Sequence, residues 1–153
     1  MKNNSVLKAL NIDLLQLKAY STGLLQGKAY ARMQSALSKT LNHLDISVPE
    51  WKLLGQLYEH GNMRLAELAD YLSYDPPMVT KLAKALEKKG FVQRAADKTD
   101  ERAKVITITK EGKQIVRKAD PEVKKTMAKL LVGITSQELR SYIKVLSIIV
   151  DNS

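Results

Sequence analysis

Residues Arg94 to Glu111 read RAADKTDERAKVITITKE. Two strings with strand character, Phe91 to Ala95 and Lys104 to Thr109, enclose a polar loop of about eight residues with both signs of charge and neither glycine nor proline. Hairpins are ordinarily closed by about two to five residues with Asn-Gly or Gly-X at the turn. A loop this long and this polar must do more than reverse the chain. Beside it, Ile106 and Ile108 alternate with Thr107 and Thr109, so the second strand turns one face inward and the other out. The spacing predicts a two-stranded sheet.

Upstream of the hairpin, Leu65, Leu68, Ala69 and Leu72 follow the i, i+3, i+4, i+7 pattern of a short amphipathic helix, and Ser73-Tyr74 makes a tight link. Asp75 is then a natural N-cap. Pro76 pushes it toward extended geometry, and prolines at 76 and 77 are tolerable in a first helical turn, where the amides are unpaired anyway. Val79, Leu82, Ala83 and Leu86 repeat the helical spacing up to a stop at Gly90. The opposite stripe is Pro77, Thr80, Lys81, Lys84 and Lys88. Two short helices, the second with hydroxyl and lysine groups along one face, are what a helix-turn-helix needs to lay a helix in a major groove. With the hairpin attached, the unit is a winged helix. The loop holding Lys98, Asp100, Arg102 and Lys104 becomes the wing, reaching out to place an arginine in a minor groove or along phosphates, with Asp100 orienting the Arg102 guanidinium.

The run LAELADYLSYDPPMVTKLAKALEKKGFVQRAADKTDERAKVITITKEG resembles the DNA-binding core of the multiple-antibiotic-resistance regulator (MarR) family in element order, in spacing and in the D-x-R wing with its closing Thr and Gly. The likeness is strong over Leu65 to Gly112. Within it, Asp100 and Arg102 match the wing's acidic–arginine pair, Thr109 and Gly112 match the closing residues, and Thr80-Lys81 fall where the family's recognition helix meets DNA. Pro76-Pro77-Met78 replaces the small polar residues common at the start of that helix, and Ile108 stands where leucine is usual. The resemblance also implies a homodimer and a response to small aromatic or phenolic effectors bound between dimerisation helices and winged helix. Met33, Leu37, Trp51 and Leu54 are the residues able to line such a pocket.

The flanks fit that organisation. Leu10, Leu14, Leu17, Leu24, Met33, Leu37, Leu41 and Leu44 recur along one long helix with Gly23 and Gly27 as weak breakers. Ser47 and Glu50 form an S-x-x-E capping box with Pro49 in the first turn of a helix that carries Trp51, Leu54, Leu57 and Tyr58 and stops at Gly61. After the wing, Thr109 caps a helix bearing Ile115, Val116, Ala119, Val123, Met127 and Leu130, which Pro121 is expected to kink or split. Thr135 and Glu138 box the start of a last helix lined by Leu139, Tyr142, Ile143, Leu146 and Ile149. The terminal helices carry more apolar face than a small winged helix can cover, so they are expected to intertwine with a second copy. The expected fold is mostly α with a small β-hairpin wing: residues 1–46 form an N-terminal dimerisation helix, 47–112 the winged helix-turn-helix, and 113–153 the C-terminal dimerisation helices.

Composition bounds the alternatives. At 153 residues the chain fits one domain, or two small units sharing a core. With no cysteine, disulfides, thiolate zinc sites, iron–sulfur clusters and thiol chemistry are excluded. No segment reads as a signal peptide or membrane span, so the expected location is cytoplasmic. Twenty-five basic against 16 acidic side chains, net +9, favours a polyanionic partner. Catalysis finds little support: neither His43 nor His60 has triad spacing, both sit near helix C-termini, and GLLQGK (23–28) is one residue short of a phosphate-binding loop and lies in a helical pattern. No cofactor or metal ligand set is expected. A metal-responsive regulator using the histidines, and a winged helix that binds protein, remain as alternatives. The best-supported expectation is a homodimeric, sequence-specific regulator of double-stranded DNA, most simply a ligand-responsive repressor of a palindromic operator. It would place Pro77 to Lys88 in a major groove, Arg102 at the minor groove, and Arg64 and Lys104 near phosphates.

Overall fold

The computed structural model describes residues 19–97, 99–100 and 103–152. The elements are α1 (Ala19–Leu41), a 3-10 turn (Asn42–Leu44), α2 (Val48–His60), β1 (Met63–Arg64), α3 (Leu65–Leu72), α4 (Pro76–Lys88), β2 (Val92–Ala96), β3 (Lys104–Ile108), α5 (Lys110–Leu130) and α6 (Ser136–Asp151). The architecture is mostly helical with one small antiparallel sheet and matches the winged-helix expectation. Leu10, Leu14 and Leu17 of the N-terminal stripe, and Lys98 and Arg102 of the wing, lie outside the described residues. Among the described residues no helix is long and apolar enough to cross a membrane.

Local chemistry sets most boundaries. Ser47 and Glu50 cap α2 reciprocally: the Ser47 amide donates to Glu50 Oε2 at 2.7 Å, and the Glu50 amide donates to Ser47 Oγ at 3.3 Å. Thr135 and Glu138 do the same for α6. Asp75 takes the extended N-cap conformation at the head of α4, but its side chain makes no capping bond. The two prolines leave few first-turn amides to satisfy, so position rather than hydrogen bonding does the capping. At the other end Gly90, at φ 77°, donates to the Glu87 carbonyl while the Phe91 amide reaches back to Leu86, closing the helix as a Schellman motif.

Two details differ from the sequence expectation. The sheet has three strands in the order β1-β3-β2, because Met63 and Arg64 pair with Ile106 and Val105. Two residues are too few to show alternation, and their partner lies about forty residues on. Pro121 does not split α5, which runs from Lys110 to Leu130. Ala119 and Val123 on either side of the proline are buried in one cluster with Leu37 and Leu41 of α1, which anchors both halves of the helix.

The apolar interior falls into two clusters. One lies within the winged helix and joins Leu53, Leu54 and Leu57 of α2 to Leu68 of α3, Val79, Ala83 and Leu86 of α4, Val92 of β2 and Ile106 of β3. The other joins Leu37 and Leu41 of α1 to Ile46, Val48, Ala119 and Val123. Each fully buried aliphatic side chain contributes about 1.5–3 kcal/mol, so both clusters are substantial. The seam between them is crossed by α2, by α5, which places Val116 in the first cluster and Ala119 and Val123 in the second, and by the half-buried Phe91 and Ile115, which pack on both.

Candidate nucleic-acid interface

Helix α4 is the centre of the site. Val79, Ala83 and Leu86 point into the core with no exposed surface, which turns the opposite stripe outward. On that stripe Pro77, Lys81, Lys84 and Lys88 are exposed and Thr80 is half-buried. Lys81, Lys84 and Lys88 enter no ion pair among the described residues. The Thr80 hydroxyl donates to the Pro76 carbonyl at 2.9 Å, so in this geometry its oxygen offers an acceptor at the groove face. Glu87, the acidic side chain near this stripe, is neutralised by Arg94 of β2. The Arg94 Nε donates to Glu87 Oε2 at 2.7 Å, and this bond holds the carboxyl below the ordinary glutamate range. The exposed face of α4 is therefore cationic.

Beside α4 stands the hairpin, with Val92 opposite Ile108 and Ala96 opposite Lys104. Lys104 is exposed where β3 begins, at the base of the wing. Asp97 organises the loop. Its Oδ1 accepts from the Thr99 amide at 2.7 Å, the Thr99 hydroxyl at 2.6 Å and the Asp100 amide at 3.1 Å, an Asx-type turn, while Oδ2 accepts from Arg64 Nε at 2.9 Å. Arg64 also donates to Thr99 Oγ1 at 3.1 Å. The Arg64 bond, ahead of the Thr99 bonds, holds the Asp97 carboxyl far below the usual aspartate range. Arg64 is thus a bracket between β1 and the wing. Sequence reasoning misses Asp97, although D-x-T is a legible Asx signature; its pairing with a residue 33 positions away is not legible. The expected Asp100–Arg102 contact falls on a residue outside the described ones. Asp100 itself lies in the turn, its carbonyl accepting from the Ala103 amide at 2.9 Å.

The four residues expected to line an effector pocket are dispersed. Leu54 is fully buried in the winged-helix cluster, Leu37 is buried in the second cluster with Trp51 packed against it, and Met33 lines an open groove between α1 and α6. That groove, about 450 Å³, is walled by Tyr30, Met33, Tyr142 and Leu146 over a floor at Gly23 and Gly27. Of the histidines, His43 Nε2 lies 3.2 Å from Glu122 Oε1, and the His60 ring lies tilted against Tyr71 at 5.1 Å between centroids. Among the described residues no cluster of three metal-ligating side chains forms.

Comparison with known proteins agrees with the geometry. Residues 46–104, covering α2 through the start of β3, match the MarR family model. The winged-helix segment of the chain is thus similar to the MarR family. The HTH-type transcriptional regulator YwaE of Bacillus subtilis is 26% identical over 149 residues, covering 97% of this chain and 87% of YwaE. The fold superposes on an Escherichia coli MarR mutant complexed with operator DNA, with a TM-score of 0.80, 23% identity and coverage of 90% of this chain and 99% of that one. It also superposes on Bordetella bronchiseptica BpsR, whose DNA binding is regulated by 6-hydroxynicotinic acid, with a TM-score of 0.79, 19% identity and coverage of 84% and 92%. The family match over the winged helix and the relatives named HTH-type transcriptional regulators support a DNA-binding regulator.

Proposed function

We propose that the protein is a homodimeric repressor that reads a palindromic operator and releases it in response to a small aromatic effector. The observation that carries the DNA reading is the two-sided character of α4. One face is sealed in the core, and the other presents Lys81, Lys84 and Lys88, with no ion-pair partner among the described residues, beside the wing. In this reading Pro77 to Lys88 enter the major groove, with Thr80 and Lys81 nearest the base edges. Lys84, Lys88 and Lys104 meet phosphates, Arg102 reaches the minor groove with Asp100 orienting it, and Arg64 supports the wing as well as facing the backbone. Dimerisation is supported by α6, which buries no residue of its own and exposes Tyr142, Ile143, Val145, Ile148, Ile149 and Val150. Soluble monomers rarely leave so continuous an apolar stripe uncovered. The effector reading rests on the BpsR parallel and on the aromatic walls of the α1–α6 groove that Met33 lines.

Selection of bound fragments from a random duplex library tests the reading. The expected product is a palindrome with half-site centres about 10–10.5 base pairs apart. Inserting five base pairs between the half-sites turns one of them to the opposite side of the duplex, and affinity is expected to fall by about 10²-fold or more. Recovery of no palindrome, or full affinity after the half-turn insertion, overturns the two-fold reading.

A further inference from the structure

Resting on the two-fold reading above, we infer that Lys89 is a positioning residue that fixes the angle between the winged helix and the dimerisation helices, and so sets how strictly the protein reads half-site spacing. Lys89 is the C-cap of α4, one residue beyond the cationic stripe, and it points away from that stripe into the seam between the two apolar clusters. Its Nζ lies 3.0 Å from Glu50 Oε1 and donates to the Asp45 carbonyl at 2.6 Å. Glu50, at 6% exposure, is the one buried charged side chain among the described residues. Burial alone pushes its carboxyl up, but the Ser47 amide, the Lys89 ammonium and the Ser47 hydroxyl together hold it below the ordinary glutamate range, so the pair is ionised.

What the pair joins gives it a role beyond stability. Asp45 sits at φ 54° in the left-handed region, where the 3-10 turn after α1 gives way to the N-cap of α2. It is the turn through which the chain passes from α1 into α2. One ammonium group therefore ties three things: the end of α4, the capping box of α2 and the carbonyl of the Asp45 turn. Across this seam run α2 and α5, the latter with Val116 in one cluster and Ala119 and Val123 in the other, while Phe91 and the α5 residue Ile115, both partly buried, pack on both. Apolar contacts resist separation but tolerate sliding, whereas a short charge-assisted bond to a fixed carbonyl is directional. Loosening Lys89 is expected to free the angle between the two clusters while leaving each intact.

The test uses the full-length protein and the palindrome recovered by selection, together with versions having one base pair inserted or deleted between half-sites. Removing the lysine alone strands a buried carboxylate, so the principal variant is Lys89→Met combined with Glu50→Gln; Lys89→Gln is the milder companion and Lys89→Arg the conservative one. Melting curves establish that each variant is folded, and sedimentation that its assembly matches the wild type. The wild type is expected to discriminate against the altered spacings. The double variant and Lys89→Gln should lose about tenfold of that discrimination, a coupling of the size that neighbouring residues commonly show. The slope of affinity against salt should stay unchanged, because no phosphate contact is removed. Lys89→Arg should restore most of the discrimination. If the folded variants discriminate spacing as the wild type does, or lose affinity equally on all spacings with a shallower salt slope, Lys89 is a structural or phosphate-contacting residue and the inference falls. A wild type that binds no palindrome overturns the two-fold reading itself, and is recognised before any variant is measured.

Discussion

A methyl group at position 112 would sit 2.2 Å from the carbonyl oxygen of Phe91 and 2.8 Å from Ile108 Cγ1. Gly112 lies in the first turn of α5, where its amide donates to Thr109 Oγ1 at 3.0 Å while the Thr109 hydroxyl donates to the Gly90 carbonyl at 2.7 Å. The small residue allows the helix to start directly against the loop that leaves α4, so the wing is anchored at its base. Replacing a helical glycine by alanine ordinarily stabilises by about 0.5–1 kcal/mol. At Gly112 the sign should reverse, because the obstacle is backbone and overpacking costs about 1–3 kcal/mol. Gly55 of α2, where a methyl group would meet nothing within 4 Å, supplies the control. Urea unfolding is expected to show Gly112→Ala destabilised and Gly55→Ala unchanged or more stable. A Gly112→Ala protein as stable as the wild type would mean that α5 docks less tightly against Phe91 than these distances require.

At the scale of elements, the wing and α4 are held by different means. Helix α4 is fixed by a buried apolar face, whereas Thr99 and Asp100 of the wing are held by hydrogen bonds to the half-buried Asp97 carboxylate. The wing should therefore be alterable without touching the core. Asp97→Ala removes the acceptor for the Thr99 and Asp100 amides and the partner of Arg64, while Asp97→Asn keeps an acceptor oxygen and loses only the charge. Amide exchange at Thr99 and Asp100 is expected to speed up strongly in Asp97→Ala and less in Asp97→Asn. The melting temperature should move far less than the local exchange in either, because these bonds hold the wing and take no part in the apolar clusters. Unchanged exchange in Asp97→Ala would remove Asp97 as the organiser of the loop.

For the molecule as a whole, the open question of mechanism is what covers α6. Its exposed stripe takes no part in either apolar cluster, so a charge placed there should leave each chain folded. Ile149→Glu combined with Ile143→Glu is expected to yield a monomer by sedimentation with an unchanged winged helix. Loss of the linkage between two recognition helices should lower operator affinity by about 10²- to 10⁴-fold, since the second half-site is no longer bound intramolecularly. A variant that remains dimeric, or a folded monomer that binds as tightly as the wild type, would place the dimer contact elsewhere or make it incidental to DNA binding.

What the sequence determines by itself is whatever depends on neighbours in the chain. The capping boxes at Ser47 and Thr135, the Asp75-Pro-Pro start of the recognition helix, its stop at Gly90 and the alternation of Ile106 and Ile108 all rest on contacts within a few residues, and each marks a boundary the fold keeps. The exposed lysine stripe follows from the same logic, because a helix with one apolar face must turn the other outward. The strand Met63–Arg64, the Arg64 bracket on Asp97 and the Lys89 bridge to Glu50 and Asp45 are illegible there, for they join residues 33 to 44 positions apart. No periodicity or propensity encodes such pairs. They exist only once the two apolar clusters have brought α2, the sheet and the end of α4 together, and it is the tertiary structure that decides which charged side chains stay exposed on α4 and which are spent holding the wing and the Asp45 turn in place.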